Sequence, residues 1–167
     1  MSSESQHASV FSYRGATVKN IHEKITKDNM FINIDTDLVR KVFIFVGTND
    51  ASHIYWGHSY IDETINQTKT LIQYLKERFP RCNIKLVNLL HRGVKGENDV
   101  VKEINKRFHE YCSEDSNITF IETEAKHKLF SDGLGNIKHN FFFDNVHLSD
   151  HGIVRLARML KYLAHNS

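Results

Sequence analysis

Lys41-Val42-Phe43-Ile44-Phe45-Val46-Gly47-Thr48-Asn49-Asp50 is the stretch on which the reading of this chain turns. Val42 to Val46 is an unbroken run of β-branched and aromatic residues, and it stops at a glycine. A run of that length and composition reads as a strand buried on both faces, as in a parallel sheet covered by helices. Thr48, Asn49 and Asp50 then emerge at the carboxyl end of the strand, where open α/β sheets place their ligands. The Asn49 carboxamide is a donor in need of a target.

Outward from this stretch, strands and helices alternate. Upstream, Val10 to Tyr13 reads as a short, weak strand, followed by Arg14-Gly15-Ala16-Thr17. Thr17 or a neighbour caps a helix carrying Val18, Ile21 and Ile25 on one face. Downstream, Ala51 to His58 reads as a polar, aromatic loop. A long helix over about Tyr60 to Phe79 follows, with Ile61, Ile65, Thr68, Leu71, Ile72 and Leu75 in one stripe, ended by Pro80. Asn83 to Leu90 is a second strand, Asp99 to Ser113 a helix, and Asn117 to Glu122 a third strand. The loop Thr123 to Asn140 contains Gly133 and Gly135, and an amphipathic helix from about Ser149 to Ala164 closes the chain. Such alternation argues for a parallel sheet with helices on both faces. Three strong strands are few for that architecture, which points to an element missing or disguised at the amino end.

Composition sets the outer bounds. A chain of 167 residues, 40% hydrophobic and 25% charged, is expected to form one domain around a single core. Residues 10–167 are taken as that domain and 1–9 as a disordered or fragmentary tail. The two cysteines, Cys82 and Cys112, have no metal-ligand spacing and read as reduced thiols. No run approaches the roughly twenty apolar residues that span a bilayer. The start, MSSESQHAS, has no hydrophobic signal region, so a cytoplasmic or otherwise intracellular protein is expected. A net charge of +2 permits, but does not require, a polyanionic partner.

Two constellations carry chemistry. Asp144 and His147 stand three apart on a turn entering a helix. The carboxylate can fix the imidazole tautomer and stabilise its cation, as a general-base histidine needs; the alternative is a turn aspartate beside a surface histidine. Asn49 can donate to a developing oxyanion, and Gly15, on a separate turn before a helix, can offer a backbone N–H; the alternatives are ordinary turn residues. The eleven histidines are scattered without zinc-site spacing, so no metal or other cofactor is implied.

In order and context, these pieces resemble the SGNH (GDSL-like) hydrolase family. The matching pieces are the glycine of Tyr13-Arg14-Gly15-Ala16, the Gly47-Thr48-Asn49-Asp50 box, the Asp144-Asn145-Val146-His147-Leu148-Ser149 box, and Gly152 with the apolar helix behind it. The similarity runs from about Val10 to the carboxyl end. It implies a three-layer, flavodoxin-like parallel sheet and ester hydrolysis through an acyl-enzyme, commonly on acetylated carbohydrate or lipid. It also implies His147 as base, Asp144 as its orienting partner, and Gly15 and Asn49 as oxyanion donors. Asp50, Trp56 and Arg92 are expected in the substrate loops.

The family's first box, a Gly-Asp-Ser turn after the first strand, has no counterpart. Ser2, Ser3, Ser5 and Ser9 lie in the polar tail, Ser12 stands too near Gly15, and no nucleophile is identified. The sheet is therefore expected to lack its first strand. The chain is expected to be weak or inactive, whether as an amino-truncated remnant, a pseudoenzyme, or one partner of an assembly, homo-oligomers included. A non-catalytic RNA-binding module is the competing reading. Its basis is the basic residues Lys76, Arg78, Arg81, Lys85, His91, Arg92, Lys95, Lys102, Lys106 and Arg107.

Overall fold

The computed structural model describes residues 8–124, 129–132, 134 and 136–166, with side chains described to 163. The serines at 2, 3 and 5 and the glycines at 133 and 135, singled out above, lie outside the described residues.

Three strands make one parallel sheet in the order β1-β2-β3: β1 Lys41–Ile44, β2 Asn83–Val87 and β3 Ile118–Ile121. The register aligns Val42 with Ile84 and Ile84 with Ile118, so even-numbered residues share one face. That face carries Val42, Ile44, Val46, Ile84, Leu86, Ile118 and Phe120 into the larger core. The core also takes Val18 and Ile25 of α1 (Val18–Lys27), Ile65, Leu71, Ile72 and Leu75 of α3 (Ile61–Arg78), and Val101, Ile104 and Phe108 of α4 (Glu97–Ser113). A second, smaller core of Leu90, Phe130, Ile137 and Phe142 lies under Leu156 of α5 (Asp150–Asn166). The expected α/β class holds.

Three expectations need correction. Val10 to Tyr13 forms no strand; Val10 is 86% exposed, and Phe11 packs edge-on against Phe31 instead. The 51–58 loop is largely helix, α2 (Thr48–Tyr55), which begins inside the GTND box with Gly47 at its N-cap. Glycine is required there because φ is +100°. Finally, β1 is not buried on both faces. Among the described residues it pairs only with β2, and of its four residues only Ile44 is fully buried. The central strand is β2.

Candidate active site

The two expected oxyanion donors stand where α1 and α2 begin. Thr17 caps α1 through a capping box with Asn20, and this holds the preceding Gly15-Ala16 turn, where Gly15 takes φ +73°. Asn49, in the first turn of α2, donates from Nδ2 to the Ala16 carbonyl at 2.9 Å. The Asn49 side chain is thus tied to the residue that follows Gly15. A carboxamide carries two N–H groups; among the described residues, Asn49 uses one on Ala16.

Asp50, expected in a substrate loop, is instead 3% exposed and accepts from the Val18 N–H at 3.1 Å. It therefore ties the start of α1 to the start of α2. Burial pushes its carboxyl above the ordinary carboxylate value, while the Val18 N–H pulls the other way. Trp56 is exposed, at the C-cap of α2.

The expected base, His147, stands on a turn closed by its own aspartate. Asp144 Oδ1 accepts from the backbone N–H of Val146 and of His147, both at 2.7 Å, and Oδ2 lies 2.7 Å from Nδ1 of His147. Together these bonds hold the Asp144 carboxyl down to about 2, the His147 backbone N–H contributing most and its imidazole next. An Nδ1–H donated to Oδ2 leaves Nε2 as the basic nitrogen. The turn is fixed to its surroundings by Phe143 N–H on His147 O at 2.8 Å and by Ser149 N–H on Phe141 O at 2.9 Å. Gly152 lets α5 approach this segment, since a Cβ there would stand 2.1 Å from the Phe141 carbonyl oxygen. Among the described residues, no hydroxyl or thiol hydrogen-bonds to the His147 ring.

Arg92, also expected to meet substrate, is a buried structural cation: its side chain is 2% exposed and that of its partner Glu97 is 6%. The guanidinium donates to the Glu97 carboxylate, to the Thr48 carbonyl and, at 2.5 Å, to Ser52 Oγ. Sequence reasoning missed this network, although an acid five residues after a loop arginine was there to be read.

Part of the basic stripe is likewise engaged within the fold. Lys85 is buried, Lys76 pairs with Asp115 at 2.5 Å, Arg107 pairs with Asp62 at 3.0 Å, and Arg78 donates to the Phe31 carbonyl. No helix among the described residues is long and apolar enough to cross a membrane.

Comparison with known proteins bears on family and fold. The model of the GDSL-like lipase/acylhydrolase family matches residues 3–153. A GDSL-like lipase from Bacteroides thetaiotaomicron superposes with a TM-score of 0.72 at 16% identity, covering 91% of this chain and 72% of the other. An acetylxylan esterase from Geobacillus stearothermophilus, solved as a catalytic mutant, gives 0.65 at 22% identity, covering 86% and 65%. A carbohydrate esterase of family 3 from Talaromyces cellulolyticus gives 0.61 at 15%, covering 92% and 70%. At these identities the likeness speaks for the fold. No curated protein sequence matches the chain.

Proposed function

This chain belongs to the GDSL-like lipase/acylhydrolase family, and on that premise we propose that its site is built for ester hydrolysis. His147 is the base, Asp144 orients it, and Gly15 N–H with the second N–H of Asn49 receives the oxyanion. The observation that carries this reading is the 2.7 Å contact between His147 Nδ1 and Asp144 Oδ2, beside backbone bonds that keep the aspartate ionised. Nε2 takes the proton from an attacking hydroxyl as its oxygen bonds to the ester carbon. The carbonyl electrons move onto oxygen, facing Asn49 and Gly15. Collapse then expels the alcohol, which takes the proton back from the imidazolium.

The attacking oxygen is the part the described residues do not supply. We place it on a serine at the end of a strand paired to the open edge of β1, because that edge runs out at Gly47, next to Asn49. Without it, the chain works slowly on water, since base and oxyanion hole still lower the barrier. Acetylated carbohydrate is the favoured substrate. Support for it comes from the acetylxylan esterase and the carbohydrate esterase among the similar structures; the cleft of about 760 Å³ between α1 and α3 is lined by none of Gly15, Asn49, Asp144 and His147.

The test is hydrolysis of p-nitrophenyl acetate by the chain, by His147→Ala and by Asn49→Ala. Each variant is expected to lose about a hundredfold of the rate above buffer, the lower end of what a positioned base or oxyanion donor contributes. Equal rates for all three proteins would sink the reading.

A further inference from the structure

The two halves of the site come from distant parts of the chain, and among the described residues no hydrogen bond runs directly between them. We propose that Arg92 and Gly93 are positioning residues that set the Asp144–His147 turn against the Asn49–Gly15 donors. The labels of the two halves rest on the hydrolase reading; the joint itself rests on geometry.

On one side, the Arg92 fork reaches the Thr48 carbonyl, whose carbon is bonded to the Asn49 nitrogen, and Ser52 one turn further along α2. A guanidinium can serve several acceptors from one rigid plane, which an ammonium on a flexible stem cannot do as well. Its charge is matched by Glu97, so the fork is fixed in place rather than solvated. The Arg92 backbone is clasped as well: its N–H donates to Asn98 Oδ1 at 2.7 Å, and its carbonyl accepts from Asn98 Nδ2 at 2.8 Å. Few loop residues are held at both ends in this way.

On the other side, the next residue receives the base turn. Gly93 N–H donates to the Asn145 carbonyl at 2.7 Å. Asn145 sits between Asp144 and the Val146 and His147 amides that bind its carboxylate. The Asn145 side chain lies over the Gly93 Cα. A Cβ on Gly93 would meet its Oδ1 at 2.4 Å, its Cγ at 2.7 Å and its Cβ at 2.9 Å. Gly93 does not take the left-handed conformation, so a side chain is excluded there by lack of space and not by backbone strain. From Asn49 to Asp144, the path of contact therefore passes through two adjacent residues, one gripping each half. The loop after β2 is the gauge that separates base from oxyanion hole.

Gly93→Ala lengthens that gauge by one methyl group. It is expected to displace 144–147 and break the backbone bonds to Asp144. The readout is the Asp144 side-chain carboxyl titrated by carbon-13 NMR in the folded protein. Its midpoint is expected to rise from about 2 toward the ordinary 3.8 in Gly93→Ala. In Gly93→Ala with Asn145→Gly, where all three contacts are removed, it is expected to return to about 2. A merely destabilised but correctly folded variant would leave the Asp144 midpoint where it was.

An unchanged midpoint in Gly93→Ala overturns the proposal. If the single variant does not fold, a folded double variant with Asp144 restored supports the joint, and a double variant that also fails overturns it. Ester hydrolysis, followed in parallel, separates the two readings. If His147→Ala costs no rate while Gly93→Ala still moves Asp144 reversibly, the hydrolase reading falls and the joint stands.

Discussion

Replacing Asp50 with alanine strands the Val18 N–H inside the protein. Val18 is 0% exposed and Asp50 3%, and the N–H lies 3.1 Å from Oδ2 and 3.4 Å from Oδ1. An unmet buried donor costs about 1–3 kcal/mol. Losing a carboxylate from a helix N-terminus adds about 0.3–1 kcal/mol at neutral pH. Part of this is offset, because the ionised carboxylate is itself disfavoured by burial. A net loss of about 2–3 kcal/mol is expected, a fall in melting temperature of about 4–12 °C for a chain of this size. Asp50→Asn keeps an acceptor for Val18 without the charge and should stay within about 1 kcal/mol of the parent. The pH dependence has a definite sign. A folded value raised above the unfolded one contributes stability that is present below the unfolded value and lost as pH rises through the folded value. Asp50→Asn, fixed in the neutral form, should therefore gain on the parent between about pH 4 and neutrality. Thermal melts of the three proteins by far-ultraviolet circular dichroism, at both pH values, check this. Alanine and asparagine variants that melt together would refute the bridging role of Asp50. A parent-to-asparagine gap independent of pH would refute the burial argument.

Two further outcomes follow from charges. Glu97→Ala leaves Arg92 buried without its carboxylate, at about 3–5 kcal/mol. Adding Arg92→Leu to Glu97→Ala should recover part of the loss in the same melts, since the stranded charge is then gone. Asp144 has the opposite sign to Asp50. Its folded value is depressed to about 2 from 3.8, so its contribution is present above 3.8 and lost as pH falls to about 2. The side chain is 46% exposed and the contribution correspondingly small. His147→Ala should reduce that acid-side loss only in part, since the backbone N–H groups of residues 146 and 147 still bind the carboxylate, as seen in urea midpoints between about pH 5 and pH 2.

What the sequence made legible was local. Thr17 capping α1, the apolar stripe of α3 and the Asp144–His147 turn all depend on residues within a few positions of one another, and all were found where expected. The errors depend on partners far along the chain. Asp50 reads as a turn former because nothing near it reveals that Val18, on another helix, will need an acceptor. Arg92 reads as a loop cation reaching for substrate because its acceptors Thr48 and Ser52 come from α2, which was itself read as a loop. Missing α2 had a simple cause. The helix is short, polar and begins on a left-handed glycine, so apolar periodicity had little to register.

The remaining discrepancy, at β1, is the most informative one. Val42 to Val46 has the composition of a strand covered on both faces, yet Phe45 is 38% exposed and Val42 and Phe43 are only partly buried. Soluble edge strands are usually blunted by proline, by charges or by a bulge, and between Val42 and Val46 there is none of these residues and the register with β2 is regular. Local sequence and surroundings therefore disagree at this one strand, and such disagreements concentrate where function or a further element is involved. The disagreement falls beside Asn49, at the end of the sheet where the attacking oxygen is wanted. A strand added in parallel to that edge would bear on both: it would pair the open backbone groups of β1 and flank its apolar side chains, and its last residue would arrive beside Asn49. The apolar edge of β1 and the lack, among the described residues, of a hydroxyl bonded to the His147 ring are separate observations, and the proposed strand with its serine would account for both.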